Sequence, residues 1–408
     1  MTHRNVLIAG AGIAGPALAY WLHRHGLAAT VVERAPAVRE GGQTVDLRGA
    51  GRAVARKMGL ERTLHAHATR EEGIRFVDRA DHGKAALPSG AFGGRGPVAE
   101  LEILRADLSR LLYEETRPYT EYLFADEITE LSQRDERVRV TFRGGAERVF
   151  DLVVAADGAH SRTRDLAFGG PGRPGRPGDA ADTRPVGLTT AYFTIPGEPA
   201  DGRWARWYNA PGGRVVTLRP DNRGTARASL SFLSPPHADE QHEKLVPEAQ
   251  KQLLHRVFRD AGWETARVLA AMDTAPDFCL DRVSQVRMPR WSHGRVAVLG
   301  DAGYCPSPLS GMGTSLALTG AYVLAGELAH HARHERAFTR YEEILRPYAE
   351  RAQDLPPGVP RVAVPRTRAG IRTLHLVLRA AARPRVAGRL NRFFVPPADT
   401  FALPSYSL

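Results

Sequence analysis

Lysine is almost missing from this chain. Lys57, Lys84, Lys244 and Lys251 are the only four, so the formal net charge of +11, from 56 Lys plus Arg against 45 Asp plus Glu, rests almost wholly on arginine. Those arginines are scattered among Ala, Gly and Pro and form no basic block of the kind a nucleic-acid surface needs, so no nucleic-acid partner is expected. Cysteine is scarcer still: Cys279 and Cys305 build neither a disulfide framework nor a Cys-x-x-Cys pair, which suits a reducing compartment. No run reaches the ~18 uncharged residues of a membrane span; the longest candidate, residues 316–329, is short and carries Glu327, so no stable membrane insertion is expected. A Gly-x-Ser-x-Gly nucleophile elbow is absent. His330 and His334 have the i, i+4 spacing of metal ligands on one helix face, but no Glu or Cys arrangement completes a site, and no metal is expected.

Glycine, by contrast, is abundant, and three glycine-rich signatures stand in a fixed order. The first, Gly10-Ala11-Gly12-Ile13-Ala14-Gly15, follows the apolar run Asn5 to Ala9 and opens the apolar stretch Pro16 to Leu22, so it reads as strand, tight turn and helix. Gly10 permits the turn, Gly12 lets the backbone approach a pyrophosphate, Gly15 lets helix pack on strand, and the helix start supplies N–H groups and a positive dipole end. A second run, Ala29 to Val32, ends at Glu33, where an acid can accept from a ribose hydroxyl pair. The second signature is Asp157-Gly158, behind the run Arg148 to Val154. The third is Gly300-Asp301, behind Arg295 to Leu299, followed by Pro308 and Gly311-Met312-Gly313. Together they predict one large dinucleotide, FAD, lying across the fold. A further Gly-x-Gly-x-x-Gly is absent from the central region, so NAD(P)H is expected to bind transiently. His3-Arg4 before small apolar residues imitates a signal peptide, but the glycine spacing, Trp21 and His23-Arg24-His25 make this stretch part of the mature fold. An unprocessed, cytoplasmic protein is expected.

A chain of 408 residues exceeds a comfortable single core. The expected class is α/β: a Rossmann-like FAD-binding domain from residues 1–72, 98–176 and 277–352, an inserted β-sheet substrate domain from 73–97 and 177–276, and a C-terminal helical segment, 353–408. Helices are expected near 53–58, 103–112, 243–261, 311–331, 335–351 and 366–382, and strands at 73–77, 137–142, 148–154, 189–195, 214–218 and 226–233. The Gly/Pro run 169–178 is the clearest linker. The arginine-bearing helix 366–382 is read as a docking helix with a solvated basic face, with a membrane-surface helix as the alternative.

The order of Gly10 to Gly15 with Glu33-Arg34, then Ala156-Asp157-Gly158-Ala159-His160-Ser161-Arg162-Thr163-Arg164, then Gly300-Asp301-Ala302-Gly303 with Pro308 and Gly311-Met312-Gly313, resembles the single-component FAD-dependent aromatic hydroxylases. These are the class A flavoprotein monooxygenases, the para-hydroxybenzoate hydroxylase family. Residues 42–49 and the Asp301 region are similar to its tetracycline-modifying and antibiotic-tailoring members. The resemblance implies that Asp301 accepts from the ribityl hydroxyls, a turn acid or N-cap being the alternative. It implies that Gly311, Met312 and Gly313 present N–H groups to the flavin edge. Gly10, Gly12, Ile13, Ala14, Gly15, Glu33, Arg34, Asp157, Gly158 and Gly300 would contact FAD, with Arg162 and Arg164 near the nicotinamide groove. Arg105 is either a cofactor contact or a solvated helix arginine. Arg48, Pro308, Gly311 and Gly313 would lie on the catalytic side.

Two departures stand out: Gly303-Tyr304 where many relatives carry Ala-His, and Ser315 where they carry Asn. Cys305 reads as a buried inert thiol. The implied activity is NAD(P)H- and O2-dependent hydroxylation of a phenolic, polycyclic aromatic. Tyr192, Phe193, Trp204, Trp207, Tyr208 and Phe232 are candidates for a broad apolar roof over the flavin, with ordinary core as the alternative for each. A halogenase shares the fold, yet Trp204-Ala205-Arg206-Trp207 does not match its Trp-x-Trp-x-Ile-Pro segment. An oxidase or Baeyer–Villiger-type outcome, and an FAD-containing protein that only binds ligand, stay open. A monomer or weak homodimer is expected.

Overall fold

The computed structural model describes residues 5–89, 101–134, 136–169, 179–235, 242, 245–355, 358–383 and 398–407. At its centre is β1 (Asn5–Ala9), whose last four residues are buried. It pairs in parallel with β2 (Ala28–Glu33) on one side and β11 (Leu152–Ala155) on the other. The six-stranded sheet is completed by β7 (Glu121–Phe124), β18 (Val296–Val298) and the antiparallel β17 (Ser292–His293). Continuous apolar runs such as Leu152-Val153-Val154-Ala155 suit a parallel sheet covered on both faces. One cover is α1 (Ala14–Arg24), packed on α9 (Gly313–His330), which in turn carries α2 (Gly49–Lys57) and α10 (His334–Gln353). The expected strand 148–154 is two: β10 (Glu147–Phe150) turns into a three-stranded antiparallel sheet with β8 (Ile128–Arg134) and β9 (Arg137–Phe142), and β11 restarts after Asp151.

A second, seven-stranded sheet has the order β16 (Cys279–Arg287), β12 (Asp182–Pro196), β15 (Thr225–Leu233), β14 (Arg214–Pro220), β13 (Trp204–Ala210), β4 (Gly73–Val77), β5 (Gly83–Pro88). It runs past residue 276, since β16 is hydrogen-bonded along β12 from Cys279 to Arg287. One face is apolar: Phe193, Ile195, Tyr208, Leu218, Leu230 and Phe232 close a core against α6 (Pro247–Phe258) and α7 (Thr265–Thr274). Each fully buried Phe or Leu there contributes roughly 1.5–3 kcal/mol. Phe193, Tyr208 and Phe232 are therefore core, not roof; strand alternation turns them away from the other face. Trp204 lies 5.0 Å beneath the Arg75 guanidinium on that same outer side.

Between the two sheets runs a short ribbon, β3 (Thr44–Asp46) with β6 (Glu102–Leu104). Ile103 and Leu104, expected to start a helix, belong to that strand, and α4 (Arg105–Thr116) follows without a break. Short helices α3 (Glu61–Ala66), α5 (Arg162–Phe168) and α8 (Asp301–Tyr304) complete this part. The described C-terminal residues form α11 (Val359–Ala363) and α12 (Arg368–Ala381). Ile371, His375, Leu378 and Ala381 of α12 are buried, and Leu378 and Ala381 pack with Phe76 and Leu87, as a docking helix would. The proposed linker 170–178, the 90–100 segment with Gly96-Pro97, and Pro356, Pro357 and Pro384 lie outside the described residues. His330 and His334 do not share a helix face: the first ends α9 and the second begins α10. Among the described residues no His/Cys/Asp/Glu group could hold a metal ion, and no helix is long and apolar enough to cross a membrane.

Candidate active site

The glycine turn after β1 is tight for visible reasons. Gly10 has φ +108°, and a Cβ there would meet the Ala156 carbonyl oxygen at 2.6 Å; one on Gly15 would lie 2.0 Å from the Gly10 oxygen. A Cβ on Gly12 meets nothing within 4 Å, and the same holds for Gly158, φ +91°. The first turn of α1, from Ile13 and Ala14, has no side-chain cap, so its amides are available to an anion. Glu33 ties the turn to β2: Oε2 accepts from Ala11 N at 2.9 Å and Oε1 from Ala35 N at 3.0 Å, with Arg39 at 3.4 Å. Arg34 beside it is exposed.

Asp157 organises its own loop. One carboxylate oxygen accepts from the Ser161 hydroxyl, the other from Thr163 N at 3.1 Å and Thr163 Oγ1 at 2.9 Å, while Ser161 caps α5 by accepting from Arg164 N at 2.9 Å. The two arginines that follow have unlike positions. Arg162 is exposed and pairs with Glu127 at 3.0 Å. Arg164 is buried, donating to the carbonyls of Ala159 (2.8 Å) and Ala302 (3.1 Å) and to Asp165 (3.0 Å), so it braces the 157–164 loop against the Gly300-Asp301 turn. Arg164→Ala is expected to lower stability by roughly 2–4 kcal/mol and to weaken flavin retention with it. Arg162→Ala should change stability by less than about 1 kcal/mol. Melting curves with and without flavin check both, and an Arg164→Ala protein with unchanged melting contradicts the brace.

The third signature places a carboxylate at a helix mouth. Gly300 takes φ +64° and starts α8; Asp301, its first residue, is exposed, and its Oδ1 lies 3.7 Å from where a Gly313 Cβ would stand. Desolvation by the surrounding protein pushes the Asp301 carboxyl above the usual carboxylate range; the Cys305 thiol hydrogen bond pulls it down, Asp281 raises it and Arg105 lowers it. Arg105 heads α4; its backbone N–H donates to Gln43 O at 3.1 Å, while its guanidinium forms no hydrogen bond or ion pair with the described residues. Burial lowers its guanidinium and Arg39 adds to this, while Asp301 and Glu33 favour its charge, so it stands between the Glu33 and Asp301 ends of the cradle. Pro308, exposed, opens a 3-10 turn that ends in left-handed Gly311, φ +62°. Met312 is fully buried, and its N–H donates to Ser310 Oγ at 3.1 Å. The α9 amides that follow have no side-chain cap.

Arg48 is buried behind this turn. Its Nη2 donates to Asp46 Oδ2 at 2.7 Å, and that oxygen is 3.6 Å from the Gly311 Cβ position. Ser315 has a role after all: its hydroxyl both accepts from Arg48 N and donates to Arg48 O, each at 3.1 Å, pinning the Arg48 loop to α9. Tyr304 is core, stacked on Trp291 at 4.4 Å and bonded to the Tyr341 hydroxyl at 2.8 Å. Cys305 is buried, and burial and Asp301 push its thiol well up, so it is an inert thiol.

Over these groups lies the second face of the seven-stranded sheet. Leu309 packs with Leu188, Val215 and Val283; Asp277, bonded to Thr194 N at 2.9 Å, abuts Gly41; and Arg219 reaches the ribbon at Glu102. That face is hydroxyl-rich rather than apolar: Thr190 bonds Ser231 at 3.0 Å and Thr217 bonds Ser229 at 2.6 Å, with Tyr192 and Trp207 in the same cross-strand row as Ser229 and Thr217. Sequence reasoning missed Glu71, Glu102 and Arg219, which are far apart in the chain and match no motif, and gave no role to Asp46 within the 42–49 stretch.

These features fit an extended dinucleotide: open space over two glycines, a deep-set cation without a counter-ion among the described residues, two uncapped helix starts and an accessible acid at the second. The comparisons agree. A family model described as FAD binding domain matches residues 3–355. A flavin-dependent monooxygenase of Legionella longbeachae is 37% identical over 351 residues, 86% of this chain and 87% of that protein. An uncharacterized protein of Mycobacterium tuberculosis is 41% identical over 365 residues, 88% and 95% of the two chains. The crystal structure of tetracycline destructase Tet(55) superposes with TM-score 0.80 at 32% identity, covering 99% of each chain, and that of Tet(51) with 0.81 at 30%, covering 99% and 100%. The chain belongs to this FAD-binding family and is a flavin-dependent monooxygenase.

Proposed function

We propose that this monooxygenase uses NAD(P)H and dioxygen to hydroxylate a fused-ring phenol. Bound FAD supplies the redox chemistry: hydride acceptance and the activation of dioxygen for transfer to the ring. The residues that would hold it are the 10–15 turn, Glu33, Arg105, Asp301 and the Gly313 amide at the α9 start; the Gly311 and Met312 N–H groups, expected to face the flavin as well, instead donate to Pro308 O and Ser310 Oγ, both at 3.1 Å. The uncapped α9 start would favour negative charge on a ring edge held against it, and Leu309 packs that side against the sheet.

The observation that carries the substrate class is the charge state of the roof. Arg219 is paired with Glu71 and Glu102, Arg227 with Asp221 and Asp277, and Arg48 with Asp46. A small benzoate needs an uncommitted cation for its carboxylate; a neutral, polyoxygenated ring system needs hydroxyl partners and a broad wall, which Thr190, Ser231, Thr217, Ser229, Tyr192 and Trp207 offer. The tetracycline destructase likeness points the same way. The test is NAD(P)H oxidation with product mass spectrometry across simple benzoates and fused-ring phenols. Fused-ring phenols should gain one oxygen; turnover confined to single-ring acids contradicts the assignment.

A further inference from the structure

Five charged side chains from distant parts of the chain meet where the seven-stranded sheet crosses the β3–β6 ribbon. Arg219 on β14 forks onto Glu71, Nε to Oε1 at 2.9 Å and Nη2 to Oε2 at 2.7 Å, and its Nη2 also lies 2.6 Å from Glu102 Oε1. Thr69 Oγ1 donates to the other Glu102 oxygen at 3.4 Å. Glu102 stands directly opposite Asp46 in the ribbon, so the two side chains leave the same face. Arg48 holds Asp46 from the far side. Three carboxylates thus face two guanidinium groups. With all five ionised the cluster carries one excess negative charge in a place where the Glu71 and Glu102 side chains are 1% and 4% exposed. Enclosure makes such an excess costly, and one bound proton removes it.

The ease of protonation is not shared equally. Burial pushes Glu102 up to about 7, with Glu71 reinforcing the rise and Arg219 opposing it. Burial also raises Asp46, against the pull of Arg48 and with Glu102 adding repulsion. Of the three carboxylates Asp46 is the accessible one, 15% exposed, and it is the one beside the Gly311 turn.

We propose that this cluster is the proton acceptor for the substrate hydroxyl, with Asp46 as the member that meets the substrate and Glu102 as a positioning residue that sets when the cluster is short of a proton. The proposal rests on the phenolic reading above. In the step, the phenol O–H bond breaks, its electron pair stays on oxygen as a phenolate, and the proton bonds an Asp46 carboxylate oxygen. Ionised Glu102 favours this, because the cluster then holds its excess negative charge and taking the proton cancels it. Protonated Glu102 disfavours it, because the cluster is already neutral. The electron-rich phenolate is the form that accepts oxygen. Hydroxylation should therefore rise with pH through the range in which Glu102 ionises.

Glu102→Gln has the shape of the protonated acid and leaves the remaining four charges balanced, so it should fold and bind FAD as the wild type does. The rising limb of kcat against pH should vanish, with kcat above neutral falling roughly tenfold and KM little changed. An independent readout needs no substrate: the infrared carbonyl band of a protonated carboxylic acid, present in the wild-type protein below neutral pH, should fade above it and be missing from Glu102→Gln. Absence of that band in the wild type overturns the proposal. So does persistence of the rising limb in Glu102→Gln when phenols are turned over, which leaves the substrate reading standing. If the band behaves as described but no phenol is bound or oxidised, the substrate reading falls and the Asp46 step falls with it.

Discussion

Gly12→Val should fold as the wild type does and purify colourless, whereas Gly15→Val should not fold stably at all. The two glycines are three residues apart in one turn, yet their surroundings differ completely. A Cβ on Gly15 would stand 2.0 Å from the Gly10 carbonyl oxygen and 3.3 Å from Ile8 Cγ2, and both belong to the strand and turn on which α1 is seated. Relief requires α1 to leave β1, which costs more than about 3 kcal/mol. A Cβ on Gly12 meets no protein atom within 4 Å, so the branched side chain of Val enters only the space through which a pyrophosphate approaches the backbone. Its stability cost should stay near 0.5 kcal/mol or less, about that of a surface change. Melting temperature and flavin absorbance on the same preparations separate the two. A Gly12→Val protein that stays yellow places the pyrophosphate elsewhere.

Asp301→Ala should weaken FAD binding roughly 10- to 100-fold, the loss of a charge-assisted acceptor worth about 1.5–3 kcal/mol. The apoprotein should be no less stable. Asp301 is exposed and caps no helix, so its removal takes no buried support from the fold, and its carboxyl is raised and not lowered, the direction in which ionisation at neutral pH adds nothing to stability. A purely structural acid, such as a helix cap, would show the reverse, with stability lost and FAD affinity hardly moved. Fluorescence titration of apoprotein with FAD, alongside thermal unfolding, distinguishes the two.

The parts of this molecule legible in the sequence are those where backbone geometry forbids other residues. Gly10 and Gly15 announce the turn because neither position accepts a Cβ, and the Gly300-Asp301 and Gly311 signatures rest on left-handed backbone in the same way. The seven-stranded sheet was harder. Alternation in β12 and β15 shows two faces but does not say which meets the cofactor, and large aromatic residues invite the wrong choice: Phe193 and Phe232 fill the core, while the small hydroxyl residues Thr190, Ser229 and Ser231 occupy the opposite face. Membership of β16 in this sheet depends on pairing with β12 about a hundred residues earlier, for which no local pattern exists. The same holds for Arg219 with Glu71, separated by 148 positions. Arg162 and Arg164 look equivalent on paper, but their two-residue offset around α5 turns one to solvent and the other into the protein.

The central claim is that this cradle holds FAD in an enzyme that moves one atom of dioxygen onto an aromatic substrate. The most direct measurement is mass spectrometry of the product formed by flavin-loaded protein from NAD(P)H, a fused-ring phenol and isotope-labelled dioxygen, with a parallel reaction in labelled water. The account predicts one labelled oxygen atom in the product from dioxygen and none from water, in the wild type and not in Gly12→Val. NAD(P)H consumption that yields only hydrogen peroxide across the whole panel, or flavin that is bound but never reduced, contradicts it.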